Sequence, residues 1–255
     1  MDFIGKSLAL SATGLSDAIV ALKTKEPEVW SVLSVETKGS GFQPNRKPKI
    51  LFERHVFSRL TKRRFDASNP DISSRTPGGY GTGGDHQYDR LAKAMELDED
   101  AALKSASWGL AQIMGENFAD LGFTSVQDMV QTMVASEDGQ MAAFSAFLLS
   151  CKLDQAINAH AWAKFAKRYN GPNYEKNSYD AKLDRAYKKY STGSLPDLNL
   201  RAAQVYLTFR GFNPRGIDGI MGAGTRTALT AFQTSAKLPT TGLADAATLA
   251  KLAPS

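Results

Sequence analysis

Apolar residues recur at helical spacing along most of residues 1–190, which predicts a mainly helical region. The pair Ser16-Asp17 is predicted to cap a first helix. A second helix is predicted to begin at Pro27, because proline is tolerated in a first turn, and to end before Gly39. Further helical patterns lie at 88–97, 100–106, 126–136, 139–151, 153–159, 161–169 and 174–190.

Two interruptions break this pattern. Residues 39–49 are polar and rich in glycine and proline, so they are predicted to form a loop, and the apolar run at 50–52 that follows is either a strand or the start of a helix to Leu60. Residues 66–90 are rich in Gly, Pro, Ser and Asp. A loop of that length in a compact domain is usually a functional surface or a disordered segment.

The pattern also divides the chain. Residues 191–196 are small and end in proline, as expected of a linker between a first domain at 1–190 and a second at 197–255. The second domain carries three short helical patterns separated by glycine-rich turns, with Thr225 as the predicted N-cap of the middle one. A segment of this size can form a small three-helix core.

Composition excludes several classes of protein. Hydrophobic residues make up 42% and charged residues 22% of the chain, which is ordinary for a folded globular protein. No stretch of about 18 apolar residues is present, so insertion into a membrane is not expected. One cysteine cannot form an internal disulfide, and three histidines are too few for a convincing zinc site. We therefore expect neither a metal nor another cofactor.

The net charge of +5 indicates an anionic partner. From Pro196 onward, six basic residues stand against three acidic ones. Nucleic acid is disfavoured because the chain has none of the recognition motifs, which leaves an anionic cell wall as a candidate. The N-terminus has an acidic second residue, and Lys6 interrupts its apolar stretch, so no signal peptide is predicted.

Glu36 is the first candidate for chemistry. Helical spacing places it on one face with Val29, Val32 and Leu33. Apolar neighbours and the negative end of the helix dipole both disfavour the carboxylate anion, so its pKa should rise. A carboxyl that stays protonated near neutral pH suits general-acid cleavage of a glycosidic bond. The alternative is a helix-end glutamate that turns into solvent.

Three motifs carry a family resemblance. Glu36-Thr-Lys-Gly-Ser-Gly-Phe42, Ser107-Trp-Gly-Leu-Ala-Gln-Ile-Met-Gly115 and Phe165-Ala-Lys-Arg-Tyr-Asn-Gly-Pro172 resemble, in this order, motifs of lysozyme-like peptidoglycan hydrolases. Residues 48–57, 77–80 and 105–109 look like the phage endolysin family of N-acetylmuramidases. The resemblance covers roughly residues 15–190. It implies a lysozyme-like α+β fold dominated by helices, and hydrolysis of the β-1,4 bond between N-acetylmuramic acid and N-acetylglucosamine.

The resemblance also implies roles for individual residues. Glu36 would be the general acid, and Tyr169 would orient it or stabilise charge beside it, unless Tyr169 is only a core residue. Ser107 and Gln112 would contact the glycan. Asn170 would contact the glycan or hold a turn.

A second carboxylate is harder to assign. Inverting glycosidases use a base, and retaining ones a nucleophile, opposite the acid. Glu53 is the first candidate, and its alternative is an ion pair with Arg54 or another base; Asp66 and Asp85 are poorer candidates. Some relatives with one glutamate are lytic transglycosylases, which release anhydro sugars, so that outcome stays open.

The tail resembles the three-helix peptidoglycan-binding domain over about residues 197–253. The resemblance rests on the runs at 218–233 and 238–248. Asp218, Gly219 and Arg226 are candidate wall contacts, although Asp218-Gly219 could simply form a tight turn.

Together these motifs predict a lysozyme of the endolysin type. It would be monomeric, made in the host cytoplasm without a signal peptide, and active on the bacterial wall. The alternatives are an inactive lysozyme fold in a wall-binding or virion protein, and a metal-dependent amidase or peptidase.

Overall fold

The computed structural model describes residues 1–37 and 39–254. Within them the chain forms thirteen α-helices, two short 3₁₀ helices and one antiparallel sheet of three strands. Up to the predicted linker the elements are α1 (Ala12–Leu22), α2 (Glu26–Glu36), β1 (Ile50–Phe52), α3 (Arg54–Leu60), α4 (Asp85–Leu97), α5 (Glu99–Lys104), β2 (Ala106–Trp108), β3 (Ile113–Met114), α6 (Val126–Ala135), α7 (Glu137–Ser150), α8 (Asp154–Asn158), α9 (Trp162–Tyr169) and α10 (Tyr179–Thr192). The last three helices are α11 (Leu198–Phe209), α12 (Ala223–Ser235) and α13 (Ala246–Leu252). The mainly α architecture is confirmed.

Two predicted helix caps are wrong. Helix α1 begins at Ala12, because Ser11 caps it by accepting a hydrogen bond from the N–H of Gly14 at 3.1 Å. Helix α12 begins at Ala223, so Thr225 lies inside it, where its hydroxyl donates to the carbonyl of Pro214 at 3.3 Å. In both cases the predicted cap residue lies inside the helix. In α1 an upstream serine, Ser11, caps the helix instead; in α12 the Thr225 hydroxyl bonds to a distant carbonyl and not to its own helix.

The small sheet decides between the two interpretations of residues 50–52. They form β1, which pairs antiparallel with β2, and β2 pairs antiparallel with β3. Ser107 lies in the central strand, opposite Leu51 on one side and Met114 on the other. Glu53 follows β1 directly and occupies the N-cap position of α3. The sheet therefore places Ser107 in one strand and Glu53 just past the end of the neighbouring strand.

Helix α2 is held firmly in the main core. Val29, Val32 and Leu33 are buried, and α10 packs along the helix. Aromatic side chains from other elements fill the same core, among them Phe52, Phe57, Trp108, Phe144 and Phe165. Because these side chains are fully buried, the end of α2 has a fixed position.

Helices α11–α13, here called the C-terminal module (residues 198–252), build a second and smaller core. Two buried glutamines organise its turns. Gln204 accepts hydrogen bonds from the N–H groups of Asp218 (2.9 Å) and Gly219 (2.8 Å), and Gln233 accepts one from Gly242 (2.8 Å). The module thus contains two similar helix–turn units. In each, the side-chain amide of a glutamine in the helix accepts hydrogen bonds from the backbone of the turn that follows.

The connection between the two cores is short. Helix α10 runs to Thr192, so the first two residues of the predicted linker are helical. The modules also touch directly, since the backbone N–H of Ala9 donates to the hydroxyl of Tyr206 at 3.1 Å. No helix among the described residues has the length and apolarity to cross a membrane.

Candidate active site

Glu36 is the last residue of α2, and its carboxyl group is unevenly satisfied. Its Oε2 accepts a hydrogen bond from the side-chain amide of Asn170 at 2.9 Å. Its Oε1 is buried and has no hydrogen-bond partner among the described residues. A buried oxygen without a donor favours a protonated carboxyl, because the neutral acid loses less solvation than the anion.

The electrostatics of Glu36 agree with this geometry. Burial raises the pKa of Glu36 above its ordinary value, and it outweighs the hydrogen bond from Asn170 and the charge of Lys182, which both lower it. Lys182 lies on α10, the helix that packs along α2. The predicted direction of the pKa shift is the direction found in the structure.

Asn170, and not Tyr169, makes the hydrogen bond to Glu36. The hydroxyl of Tyr169 donates to the carbonyl of Ala111 at 3.0 Å rather than to Glu36, so Tyr169 does not orient the acid through a hydrogen bond. Its ring stacks on Phe165 with centroids 5.4 Å apart. Burial and the nearby Glu36 both raise the pKa of the Tyr169 hydroxyl, which keeps it a donor. Asn170 is the residue that contacts Glu36.

Ser107 and Gln112 lie together on the β2–β3 hairpin. The Ser107 hydroxyl donates to Gln112 Oε1 at 3.0 Å. The amide of Gln112 donates to the carbonyls of Lys49 (3.0 Å) and Gly109 (2.9 Å). The Gln112 side chain is exposed yet internally bonded, so in the free protein the pair stabilises the hairpin. Its predicted contact with the glycan stays a prediction.

The neighbours of the Glu53 carboxylate are Tyr80 and His55. The hydroxyl of Tyr80 donates to its Oε1 at 3.1 Å, and His55 Nδ1 lies 3.1 Å from Oε2 without the alignment of a hydrogen bond. Arg54 instead donates to the carbonyl of Thr76 at 3.1 Å, so the base beside the Glu53 carboxylate is His55 and not Arg54. The long loop therefore supplies Tyr80 to Glu53.

Gly79, in the loop that carries Tyr80, lies at a position that requires glycine. Its φ of +68° is strained for other residues, and a Cβ there would lie 2.6 Å from the guanidinium carbon of Arg54. The guanidinium of Arg54 packs against Gly79, and the next residue, Tyr80, donates its hydroxyl to Glu53.

A basic groove runs beside Glu53. Its lining consists of one hydroxyl and five basic or imidazole side chains: His55, Ser58, Arg59, Lys62, Arg63 and Arg75. Of these, Arg59 is paired with Glu116 at 2.5 Å. The remaining positive charge suits a substrate that carries carboxylates.

Of the three candidate wall-binding residues in the C-terminal module, two stabilise a turn of the module itself. Asp218 Oδ1 accepts from the N–H of Ile220 at 3.0 Å and from the Gln204 amide at 3.1 Å. Gly219 has a φ of +70°, and a Cβ there would lie 2.8 Å from the carbonyl oxygen of Asp197. Arg226 is exposed. Wall contacts by these residues stay predictions.

Three neighbours of the candidate carboxyl groups were not predicted from the sequence: Tyr80, His55 and Lys182. A buried ion pair between Glu137 and Arg201 was not predicted either. No local pattern marks these residues, because a first-turn glutamate and an arginine within a helix are both common on exposed surfaces. In the described part of the chain, no group of three or more His, Cys, Asp or Glu side chains is placed to hold a metal ion.

Both parts of the chain match known protein families. Residues 25–191 match the family described as N-acetylmuramidase, and residues 197–252 match the family described as putative peptidoglycan binding domain. The crystal structure of Burkholderia AP3 phage endolysin is similar, with a TM-score of 0.68 and 39% identity over 72% of this chain and 71% of that one. Comparison with curated proteins gave no match.

The chain therefore belongs to the N-acetylmuramidase family, and it is a peptidoglycan hydrolase with a C-terminal peptidoglycan-binding domain. The family resemblance drawn from the sequence motifs is confirmed. Bacterial peptidoglycan is accordingly its substrate partner.

Proposed function

We propose that this chain is an endolysin that hydrolyses the β-1,4 bond between N-acetylmuramic acid and N-acetylglucosamine, with Glu36 as the general acid. One observation carries the proposal: Glu36 Oε1 is buried and unpartnered, while Oε2 is held by Asn170. A neutral carboxyl in this state has one free O–H, and protonation of the bridging oxygen requires such a donor. The similar phage endolysin supports the assignment.

Substrate binding must expose this donor. Because Oε1 is buried in the free protein, a glycan oxygen reaches it only after a small rearrangement of the neighbouring side chains. Catalytic hydrogen bonds are often completed only in the substrate complex. Asn170 keeps Oε2 in place during that change, so that the proton on Oε1 points in one direction.

Glu53 is our proposed second carboxylate. It follows β1 next to the strand that carries Ser107, and Tyr80 fixes one of its oxygens. Its Oε2 lies 3.1 Å from His55 Nδ1 but accepts no aligned hydrogen bond among the described residues, which leaves it able to activate water or to face a developing positive charge. The basic groove beside it would accept the carboxylates of the peptide stems.

The C-terminal module would keep the enzyme on an insoluble polymer and so raise the local concentration of glycan at Glu36. The enzyme would be made in the host cytoplasm and would act on the wall as a monomer. A lytic transglycosylase is the main alternative. A wall-binding protein without activity would have no use for an acid with a raised pKa, and Glu36 is neither exposed nor ion-paired among the described residues.

Product analysis tests the reaction. Purified peptidoglycan is digested, and the soluble fragments are identified by mass. Reducing N-acetylmuramic ends are the expected result. Anhydro ends would establish a transglycosylase, and released peptides or free amines would establish an amidase or peptidase.

Substitution of Asn170 by alanine tests its hold on Glu36. The hydrogen bond from Asn170 lowers the Glu36 pKa, so its loss should raise that pKa further. Since the protonated form is active, activity declines as pH rises through this pKa, and the alkaline limb of the kcat/KM profile should move to higher pH. We also expect kcat to fall about tenfold as the acid loses its orientation. Asn173→Ala, at an exposed asparagine nearby, is the control; an alkaline limb at the wild-type position would contradict the assigned contact.

Substitution of Glu53 by glutamine tests the second carboxylate. Glutamine can still accept from Tyr80, so the fold should be kept while the charge is lost. We expect kcat to fall by roughly a hundredfold, measured as release of reducing ends. Glu96→Gln removes an exposed carboxylate and should change nothing. Wild-type activity in Glu53→Gln would leave Glu36 as the sole acid and favour the transglycosylase.

A further inference from the structure

A buried ion pair joins the C-terminal module to the segment that follows Glu36. Arg201, on α11, donates to Glu137 Oε2 at 2.5 Å and to Oε1 at 3.2 Å. The two side chains are 3% and 0% exposed. Burial acts to raise the pKa of Glu137, but the charge and hydrogen bonds of Arg201 and the N–H groups of Gly41 and Leu10 outweigh it and lower that pKa. Both groups are therefore charged, and each depends on the other.

The same arginine holds backbone close to the proposed acid. Its second terminal nitrogen donates to the carbonyl of Gly39 at 2.7 Å. Glu137 Oε1 in turn accepts from the N–H of Gly41 at 2.8 Å. Residues 39–41, which begin three residues after Glu36, are here called the post-acid segment. The ion pair is hydrogen-bonded to both ends of this segment.

Packing confirms that the post-acid segment is clamped from both sides. Gly39 has a φ of +83°, and a Cβ there would lie 3.1 Å from the Cβ of Ile217 in the C-terminal module. A side chain at Gly41 would collide with Gln140, whose Oε1 accepts from the N–H of Leu110 at 2.8 Å. Leu110 precedes Ala111, the carbonyl that receives the Tyr169 hydroxyl. The C-terminal module therefore contacts the post-acid segment directly, and that segment packs in turn against Gln140, which holds the backbone next to Ala111.

We propose that the C-terminal module is a structural part of the catalytic centre, with Arg201 as a positioning residue that fixes the post-acid segment behind Glu36. The inference rests on the proposed function of Glu36. A module that served only as an anchor would need no buried contact with this segment, since a flexible tether raises local concentration equally well. A clamp, by contrast, keeps water from Glu36 and fixes the direction of its carboxyl.

Arg201→Lys in the full chain tests this proposal. Lysine keeps a positive charge for Glu137, but it is a point charge and cannot reproduce the planar fork that serves Glu137 and Gly39 together. Ile217→Ala is a second variant, which shortens the side chain that faces Gly39 to its Cβ without touching a buried charge. Arg210→Lys makes the same change at an exposed position at the end of α11 and is the matched control.

The assay uses short soluble glycan strands at saturation, where anchoring to the wall adds nothing. We expect kcat per folded molecule to fall about tenfold or more in Arg201→Lys, with smaller losses in Ile217→Ala and none in Arg210→Lys. Binding to intact peptidoglycan should stay unchanged. Water admitted to Glu36 should also move the alkaline limb of the kcat profile to lower pH, an effect that partial unfolding alone would not produce.

Two outcomes overturn the proposal. One is wild-type kcat per folded molecule in both Arg201→Lys and Ile217→Ala; the other is a loss confined to wall binding. Either result leaves the proposed function intact, provided that Glu36→Gln is inactive in the same assay. Full activity of Glu36→Gln would instead refute the proposed function itself.

Discussion

Glu36→Gln is expected to lower kcat on purified peptidoglycan by roughly a hundredfold to ten-thousandfold, the range usual for the loss of a general acid. Glutamine keeps the shape of the side chain and can still accept from Asn170. It cannot give a proton to the bridging oxygen. Release of reducing ends, measured at several pH values, checks the prediction, and Glu96→Gln serves as the exposed carboxylate control.

Although kcat falls in Glu36→Gln, the free energy of unfolding of this variant should not fall. A raised pKa in the folded state means that Glu36 contributes stability at low pH and that this contribution is lost as pH rises through the folded pKa. At neutral pH the glutamine variant should consequently be at least as stable as the wild type in urea denaturation. An inactive variant that is also less stable would point to misfolding rather than to the loss of an acid.

Glu137→Ala should be the most destabilising of these changes. It leaves the charge of Arg201 buried and unpaired, and it removes the acceptor for the N–H groups of Leu10 (2.9 Å) and Gly41 (2.8 Å). Loss of one partner of a buried ion pair usually costs about 3–5 kcal/mol of unfolding free energy. Denaturation in urea at neutral pH measures the difference.

Two further variants isolate the cause. Glu99→Ala removes an exposed first-turn glutamate from α5 and should cost less than about 1 kcal/mol. Glu137→Gln keeps an acceptor and tests the charge alone. Because the pKa of Glu137 is lowered in the folded state, its contribution is present at neutral pH and is lost as pH falls below the ordinary value of 4.5. The wild type should therefore lose stability on acidification more steeply than Glu137→Gln; equal slopes would show that Glu137 is not ionised.

The local signals in the sequence were sufficient for much of the site. The apolar stripe of Val29, Val32 and Leu33 placed Glu36 on a buried helix face, and the raised pKa followed from burial. Helix periodicity located most helices, since it depends on neighbours three and four residues away. The family followed from three motifs in order, and the comparisons confirm it.

Contacts between distant residues could not be predicted in this way. The sequence alone could not decide whether Tyr169 or Asn170 meets Glu36, because neighbours at a helix end point in different directions and only packing selects one. Likewise the partners of Glu53 depend on the path of a long loop. Residues 137 and 201 are 64 positions apart, and only the docking of the two modules pairs them. The sequence by itself determined the helices, the family and the candidate acid, whereas the tertiary structure decided which polar groups meet, since a buried hydrogen bond depends on distance in space and not on separation along the chain.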